Sequence, residues 1–387
     1  MLGTFAGERE AKACGGCFHP PAQVASDITD ERMLLSVSQK QTTLYDQIRY
    51  SGNPSSFAWV LPIKGTVDVG LSSDVLFASV DSLTQTTILQ PQINCPGPPE
   101  ECQQDKNGAF GGAANADSGS APAGDVTVTK AENVGPYATV QLHSTDSSAL
   151  EQWLSDNGFQ VPAEEKPIID MYVSEGFDFL AMKLLPNQGV QAMRPVRVTM
   201  PGASLSLPLR MAAIGTGASV GITIWVVAEG RYEPQNFPFF HIDDTELVWD
   251  FATSSSNYTT LRQSHGATLN GKGWEIESSI DIAQTTIQSL ILSGGSRFGG
   301  PSDPSQDYLP VTSSTQGDAG ADGGSMTETA DQVRQDDIAA LFGGMSGSNV
   351  RVTRMRSDIS HAAMNVDFVL RASADQAELS NSRNVVN

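Results

Sequence analysis

One short segment, Phe57-Ala58-Trp59-Val60-Leu61-Pro62-Ile63, carries apolar side chains on both parities. Successive side chains of an extended strand point to opposite faces, so a strand of this composition is buried on both. Pro62 cannot donate to a ladder and confines the strand to an edge or an end. Ile222-Thr223-Ile224-Trp225-Val226-Val227 is the most strand-prone window of the chain. Further strand patterns stand at 33–37, 42–50, 125–129, 137–142, 179–185, 195–200, 205–213, 219–228 and 273–277. Ser38-Gln39-Lys40-Gln41 reads as the hairpin turn between the first two. Helical spacing is confined to short segments. One is capped by Ser73-Asp74, with Leu76, Phe77, Val80 and Leu83 on one face. Another opens at a Ser148–Glu151 capping box, and others lie near 164–173, 258–265 and 331–342. Strand patterns outnumber helical ones without β-α-β alternation. The expected class is α+β and β-rich, with mainly antiparallel, sandwich-like sheets and a few short helices.

Gly, Ala, Pro, Ser and Asp dominate two stretches, about 94–125 and 294–329, which lack the apolar residues to build a core. They suggest a main β-rich domain over 14–293 with an insertion at 94–125, then a linker or long loop over 294–329. Residues 330–372 read as a helix plus a closing hairpin of 350–355 with 364–370, packed on the main domain, and 373–387 as a polar tail. The 387 residues carry 23 basic and 44 acidic side chains, a net charge of −21. That balance argues against nucleic acid, which demands clustered Lys and Arg, and against anionic lipid surfaces. No apolar window approaches the length of a membrane span.

The four cysteines form two close pairs, Cys14/Cys17 and Cys95/Cys102. Local pairs suit two short disulfide loops in an oxidising compartment, although four cysteines allow three connectivities. Cys14-Gly15-Gly16-Cys17 also has the spacing of a redox or metal pair. A thioredoxin-type site needs its first cysteine at a helix N-terminus after a strand, whereas this pair precedes the first strand and is followed by Pro20-Pro21. Phe18 intervenes where haem attachment requires His. A metal held by Cys14, Cys17 and His19 is the weaker alternative. Ala11-Lys12-Ala13 has the small-x-small form that precedes a signal-peptidase cut, which makes 1–13 the remnant of a signal peptide.

Nucleophilic catalysis needs a Ser or Cys with a His in reach, and none of the five histidines lies in a nucleophile-elbow or zincin motif. The most site-like is His241, followed by Asp243-Asp244 and preceded by an aromatic loop. Phe239, His241 and Asp243 are accordingly the candidate ligand loop. Gly317 to Gly324 lacks the spaced carboxylates of an EF-hand. No cofactor is expected.

Three segments carry a family resemblance: Cys14-Gly15-Gly16-Cys17-Phe18-His19-Pro20-Pro21, then Gln41-Thr42-Thr43-Leu44-Tyr45-Asp46-Gln47-Ile48-Arg49-Tyr50-Ser51-Gly52, then Phe57 to Ile63. Together they resemble the bacterial family DUF2330, most clearly over 13–83 and more weakly near Pro195 to Ala228 and at Tyr232-Glu233-Pro234. The resemblance implies an exported bacterial protein whose signal peptide ends just before the Cys-Gly-Gly motif. Some members carry a C-terminal membrane anchor, a segment not expected in this chain. The family supplies no catalytic residues. The expectation is an extracytoplasmic protein of the periplasm, cell surface or medium, with a binding or structural role toward a protein or cell-envelope partner. The alternative is an extracytoplasmic enzyme using Cys14/Cys17 for thiol chemistry or a Cys/His metal site.

Overall fold

The structure, a computed structural model, describes residues 17–18, 28–50, 58–91, 127–143, 146–157, 161, 166–185, 193–214, 216–294, 311–313 and 326–385. The chain begins with β1 (Cys17–Phe18), β2 (Ile28–Val37), β3 (Gln41–Tyr50), β4 (Ala58–Ile63), β5 (Asp68–Leu71), α1 (Asp74–Thr84) and β6 (Thr87–Leu89). There follow β7 (Thr127–Val134), β8 (Tyr137–His143), α2 (Ser147–Asp156), α3 (Lys166–Ser174), β9 (Asp178–Leu184), β10 (Val196–Pro201), β11 (Ser206–Leu207), α4 (Leu209–Ala213) and β12 (Thr216–Ala228). The remainder is β13 (Tyr232–Pro234), β14 (Phe239–Phe240), β15 (Trp249–Asp250), β16 (Ser255–Ser256), α5 (Tyr258–Thr268), β17 (Trp274–Ala283), α6 (Gln284–Leu292), β18 (Val311–Ser313), β19 (Met326–Glu328), α7 (Ala330–Leu341), β20 (Asn349–Ser360), β21 (Phe368–Ala372) and β22 (Ser382–Asn384).

An eight-stranded sheet runs β14-β17-β20-β12-β2-β3-β10-β5, and a five-stranded sheet runs β1-β4-β9-β8-β7. The five-stranded sheet is antiparallel throughout. The larger is antiparallel except where β12 joins β2 and β14 joins β17. The two sheets pack face to face, as side-chain parity shows. Trp59, Leu61 and Ile63 of β4 and Leu180 and Met182 of β9 share one core with Met33 and Leu35 of β2 and Ile222 and Ile224 of β12. The opposite parities pack on helices. Val60, Phe179 and Ala181 meet α2 and α3 through Leu150, Leu154 and Ile169. Leu34, Tyr45, Trp225 and Val227 meet α1, α6 and α7 through Phe77, Ile287 and Leu341. The result is helix, sheet, sheet, helix, each fully buried apolar side chain contributing roughly 1.5–3 kcal/mol.

The β-rich, mainly antiparallel class expected from the sequence is the class observed. The two-sided burial expected of 57–63 is seen over Trp59–Ile63 of β4. Its neighbour β1 pairs only with Ala58 and Trp59, so among the described residues no strand pairs with that edge beside Pro62. Several local readings differ. The strand expected at 205–213 is a two-residue β11 followed by α4, because Pro208, with fixed φ and no N–H, ends a strand and suits a helix start. The segments 350–355 and 364–370 form no hairpin. β20 lies between β12 and β17, whereas β21 pairs with β11 and β13. Asp146, not Ser148, caps α2, accepting from the Ser148 amide at 2.9 Å. The polar tail contributes β22, parallel to β6, and buries Val385. The insertion expected at 94–125 lies outside the described residues.

α7 is pinned by Asp337, which is wholly buried. Its Oδ2 accepts from Ser72 Oγ at 3.0 Å and from the Ser73 amide and hydroxyl, each at 2.9 Å, while Arg197 stands 3.3 Å from Oδ1. Tyr45 OH donates to the Asp337 carbonyl at 2.9 Å. Burial pushes the carboxyl up to about 7 against the opposing pull of Arg197 and the serines. Breaking such a network leaves buried serine hydroxyls without their acceptor and takes one of its carboxylates from Arg197. Asp337→Ala is expected to cost about 3–5 kcal/mol, read as a lowered urea midpoint with an unchanged slope.

Candidate functional site

Strand alternation turns one acid from each of two neighbouring strands into the layer between the sheets. On β3, Leu44 and Asp46 share the inward parity and Tyr45 the outward one; on β2, Glu31, Met33 and Leu35 point inward. Asp46 is 4% exposed, and its cross-strand neighbours are Met33 and Val196. Its Oδ1 is buried without a hydrogen-bond partner among the described residues. Burial alone pushes its carboxyl from 3.8 up to about 7. Glu31 is buried on the same wall.

Two clefts flank Asp46, and both also reach Trp59. The first holds Glu31 amid Met33, Leu44, Leu209, Ile224 and Phe368. The second is more polar, with Gln47, Asp74, Tyr137 and Arg194. They contain about 400 and about 410 Å³ of space unfilled by atoms, part of it open to solvent. Only a small part of each cleft is clear of side chains, so an occupant larger than a few waters requires the lining to give way. Their polar edge is held firmly. Gln47 Nε2 donates to Asp74 Oδ1, Tyr137 OH donates to the Arg194 carbonyl at 2.7 Å, and the Arg194 amide returns a bond at 2.8 Å.

The opposite face of the large sheet carries a polar seam. Register shifts between Ile276 and Ser278 where β17 meets β20, and this bulge leaves Glu277 on the same side as Glu275. Tyr258 OH of α5 donates to Glu275 Oε1 at 2.8 Å and lies 3.2 Å from Glu277 Oε1. Glu277 in turn accepts from Arg354, which also binds Asp81 of α1. Arg354 and Arg32 lie over the Trp225 ring at 5.1 and 5.8 Å. Glu275 is fully buried, and burial with the neighbouring Glu277 pushes it up to about 7.

The residues singled out in the sequence lie elsewhere. Cys14, Cys95, Cys102 and His19 are outside the described residues, so the disulfide and metal readings are too; of Cys17 only the backbone, paired with Trp59, is described. Phe239, His241 and Asp243 stand at the surface, His241 Nε2 lying 3.3 Å from Asp243 Oδ1. The aromatics of this loop that turn inward are Phe237, buried against Trp274 and Phe368, and the half-buried Phe240, stacked 5.0 Å from His265. Asp46 and Glu31 were missed. Their signal is an acid at a position whose parity is otherwise apolar.

Residues 9–309 match the family described as an uncharacterised protein conserved in bacteria, DUF2330. The chain belongs to that family. No curated protein matches it. Two solved structures are similar over most of the chain. One is a mutated baculovirus P35 after caspase cleavage, at 8% identity and TM-score 0.32, covering 91% of this chain and 100% of the other. The second is baculovirus P35, at 9% identity and TM-score 0.33, covering 90% and 98%. Scores this low support no argument from P35. No helix among the described residues of this DUF2330 member is long and apolar enough to cross a membrane.

Because Asp46 is held above its unfolded value, the folded state binds the extra proton. Its stabilising contribution is complete below about pH 4 and is lost as pH rises through about 7. Ionising it in place costs on the order of 2–4 kcal/mol. Asp46→Asn is expected to flatten the fall in stability between pH 5 and pH 8, as measured by urea unfolding at each pH. A slope identical to that of the parent protein would show that Asp46 does not titrate in this range.

Proposed function

We propose that this protein is a non-enzymatic binding protein acting outside the cytoplasm. We further propose that the clefts around Asp46 take a slim apolar ligand ending in a protonated amine. The observation that carries the reading is the Asp46 carboxyl, set among Met33, Leu44, Trp59 and Val196 with no hydrogen-bond partner for Oδ1. Pockets of this kind combine an apolar lining with a few polar groups that fix orientation. An ammonium group donates to that oxygen and stabilises the ionised carboxylate, Glu31 adds a second acid, and the Trp59 ring adds an aromatic surface for a cation. The extracytoplasmic setting is supported by the two local cysteine pairs and by the exported character that the family resemblance implies. The tightness of the clefts favours one competing reading, in which Asp46 keeps its proton and admits only water.

Thermal unfolding at pH 8 with a series of short alkyl and aryl amines separates the two. Binding at a hundred times Kd stabilises by about 2.7 kcal/mol, so the melting temperature rises for the parent protein and not for Asp46→Asn. No rise with any amine supports the competing reading. Compartment is tested on the cysteines. Intact mass is expected to stay constant under alkylation and to gain four adducts, one per cysteine, only after reduction.

A further inference from the structure

A third cleft lies on the outer face of the large sheet, between α5 and β20, and is separate from the clefts around Asp46. It contains about 570 Å³ of unfilled space, part of it open to solvent, and is the roomiest of the three described. Two arginines line it, Arg262 of α5 and Arg356 of β20. The Nε of Arg356 is buried without a hydrogen-bond partner among the described residues. Its cross-strand neighbour is Glu275, but that carboxyl gives its Oε1 to Tyr258 and resists ionisation through burial. Arg262 lies 3.3 Å through Nε from Oδ2 of the half-exposed Asp358, and its charge also acts on the buried Glu275. Two guanidinium groups therefore face one exposed carboxylate, Asp358, and one buried acid that resists ionisation, Glu275, in a protein whose net charge is −21.

Glycines keep the cleft open. A Cβ on Gly266 would meet no atom within 4 Å, so that position borders empty space. Gly273 lets α5 approach β17 closely, since a Cβ there would stand 3.2 Å from the Gly266 Cα. Asn270 and Gly271, with φ of 57° and 67°, turn the chain from α5 into β17, and the Gly271 carbonyl accepts from the Ser360 amide at 3.1 Å. The walls are fixed by backbone packing, with space left where side chains would otherwise stand.

We propose that this cleft binds a small oxyanion group, a phosphate or a carboxylate, held by Arg356 and Arg262. A guanidinium matches two oxygens of such a group through paired N–H donors, which an ammonium cannot do. Asp358 then serves as the resident counter-ion of Arg262, which an incoming anion displaces or shares.

Isothermal titration with inorganic phosphate and, separately, with acetate tests this. Ionic strength is held constant with chloride so that screening does not vary. Saturable binding of one or both is expected, and the better ligand tells the two anion chemistries apart. Arg356→Gln is expected to weaken binding at least tenfold. Gly266→Glu places an acid at the mouth of the cleft, on a position where a Cβ meets no atom within 4 Å, and should abolish binding, while Gly266→Ala should retain it. Both Gly266 changes favour helix over glycine, so the fold is kept even if Arg356→Gln disturbs it. Absence of saturable binding in the parent protein overturns the proposal. So does binding that survives Gly266→Glu.

Discussion

The parallel pairing of β2 with β12 is the constraint on which the rest of the fold depends. Antiparallel neighbours can be joined by a tight turn, but parallel ones require a crossover. Here the crossover runs from Val37 to Thr216. Within it the chain returns to the large sheet as β3, β5 and β10 and builds the second sheet from β4, β7, β8 and β9. β12 then receives β20 on its other edge, ten residue pairs in unbroken register from Ser219–Ser360 to Ala228–Arg351. Segments at the two ends of the sequence thus meet at one strand. Such non-local pairing defers its stabilisation until long loops have closed, which makes slow folding the expectation.

A sheet covered on both faces leaves few places for charge, yet this one buries acids on each side. On the inner face Asp46 has only apolar strand neighbours. On the outer face the acids are supplied with donors: Tyr258 and Arg354 for the Glu275–Glu277 pair, and Ser72, Ser73 and Arg197 for Asp337. The difference is one of reach. Helices packed on the outer face bring hydroxyls, amides and guanidinium groups against the sheet. The inner face meets another sheet, whose backbone groups are committed to their own ladders.

This asymmetry explains which parts of the molecule were legible in the sequence. The alternating or doubly apolar strands at 33–37, 57–63 and 219–228 follow from side-chain parity, and each appears in the fold. β22 was not legible, because its place beside β6 depends on backbone bonds and not on an apolar pattern. Nor was the partnering of β20, since sequential strands commonly pair and here do not. The candidate sites were hidden for a related reason. Asp46 sits within a strand already recognised by Leu44 and its neighbours, and only the violation of parity marks it. Arg356 belongs to a strand rich in arginine, where nothing local distinguishes it from Arg351, which pairs with Asp281, or Arg354, which pairs with Glu277. Its distinction is a missing partner, a property of the assembled sheet. His241 drew attention through local sequence and stands in solvent.

The buried acids differ in what protonation does for them, although burial pushes Asp46, Glu275 and Asp337 to similar values. Asp337 faces an arginine and two serines, so its charged form already has donors, and the proton is retained only against them. Glu275 shares a tyrosine hydroxyl with Glu277, and Arg354 reaches only Glu277, so ionising both sets two negative charges side by side with Glu275 held by that hydroxyl. Asp46 has no donor to Oδ1 among the described residues, so on that oxygen the charged form goes unsupported. A bound cation or donor at Asp46 would therefore supply the partner that Oδ1 lacks. The same logic with the sign reversed applies to Arg356, which is permanently charged and cannot shed a proton to relieve itself. The two faces of a single sheet thus present opposite charges, a carboxyl with one unpartnered oxygen in the inner cleft and a guanidinium with an unpartnered Nε in the wider outer one, among the described residues.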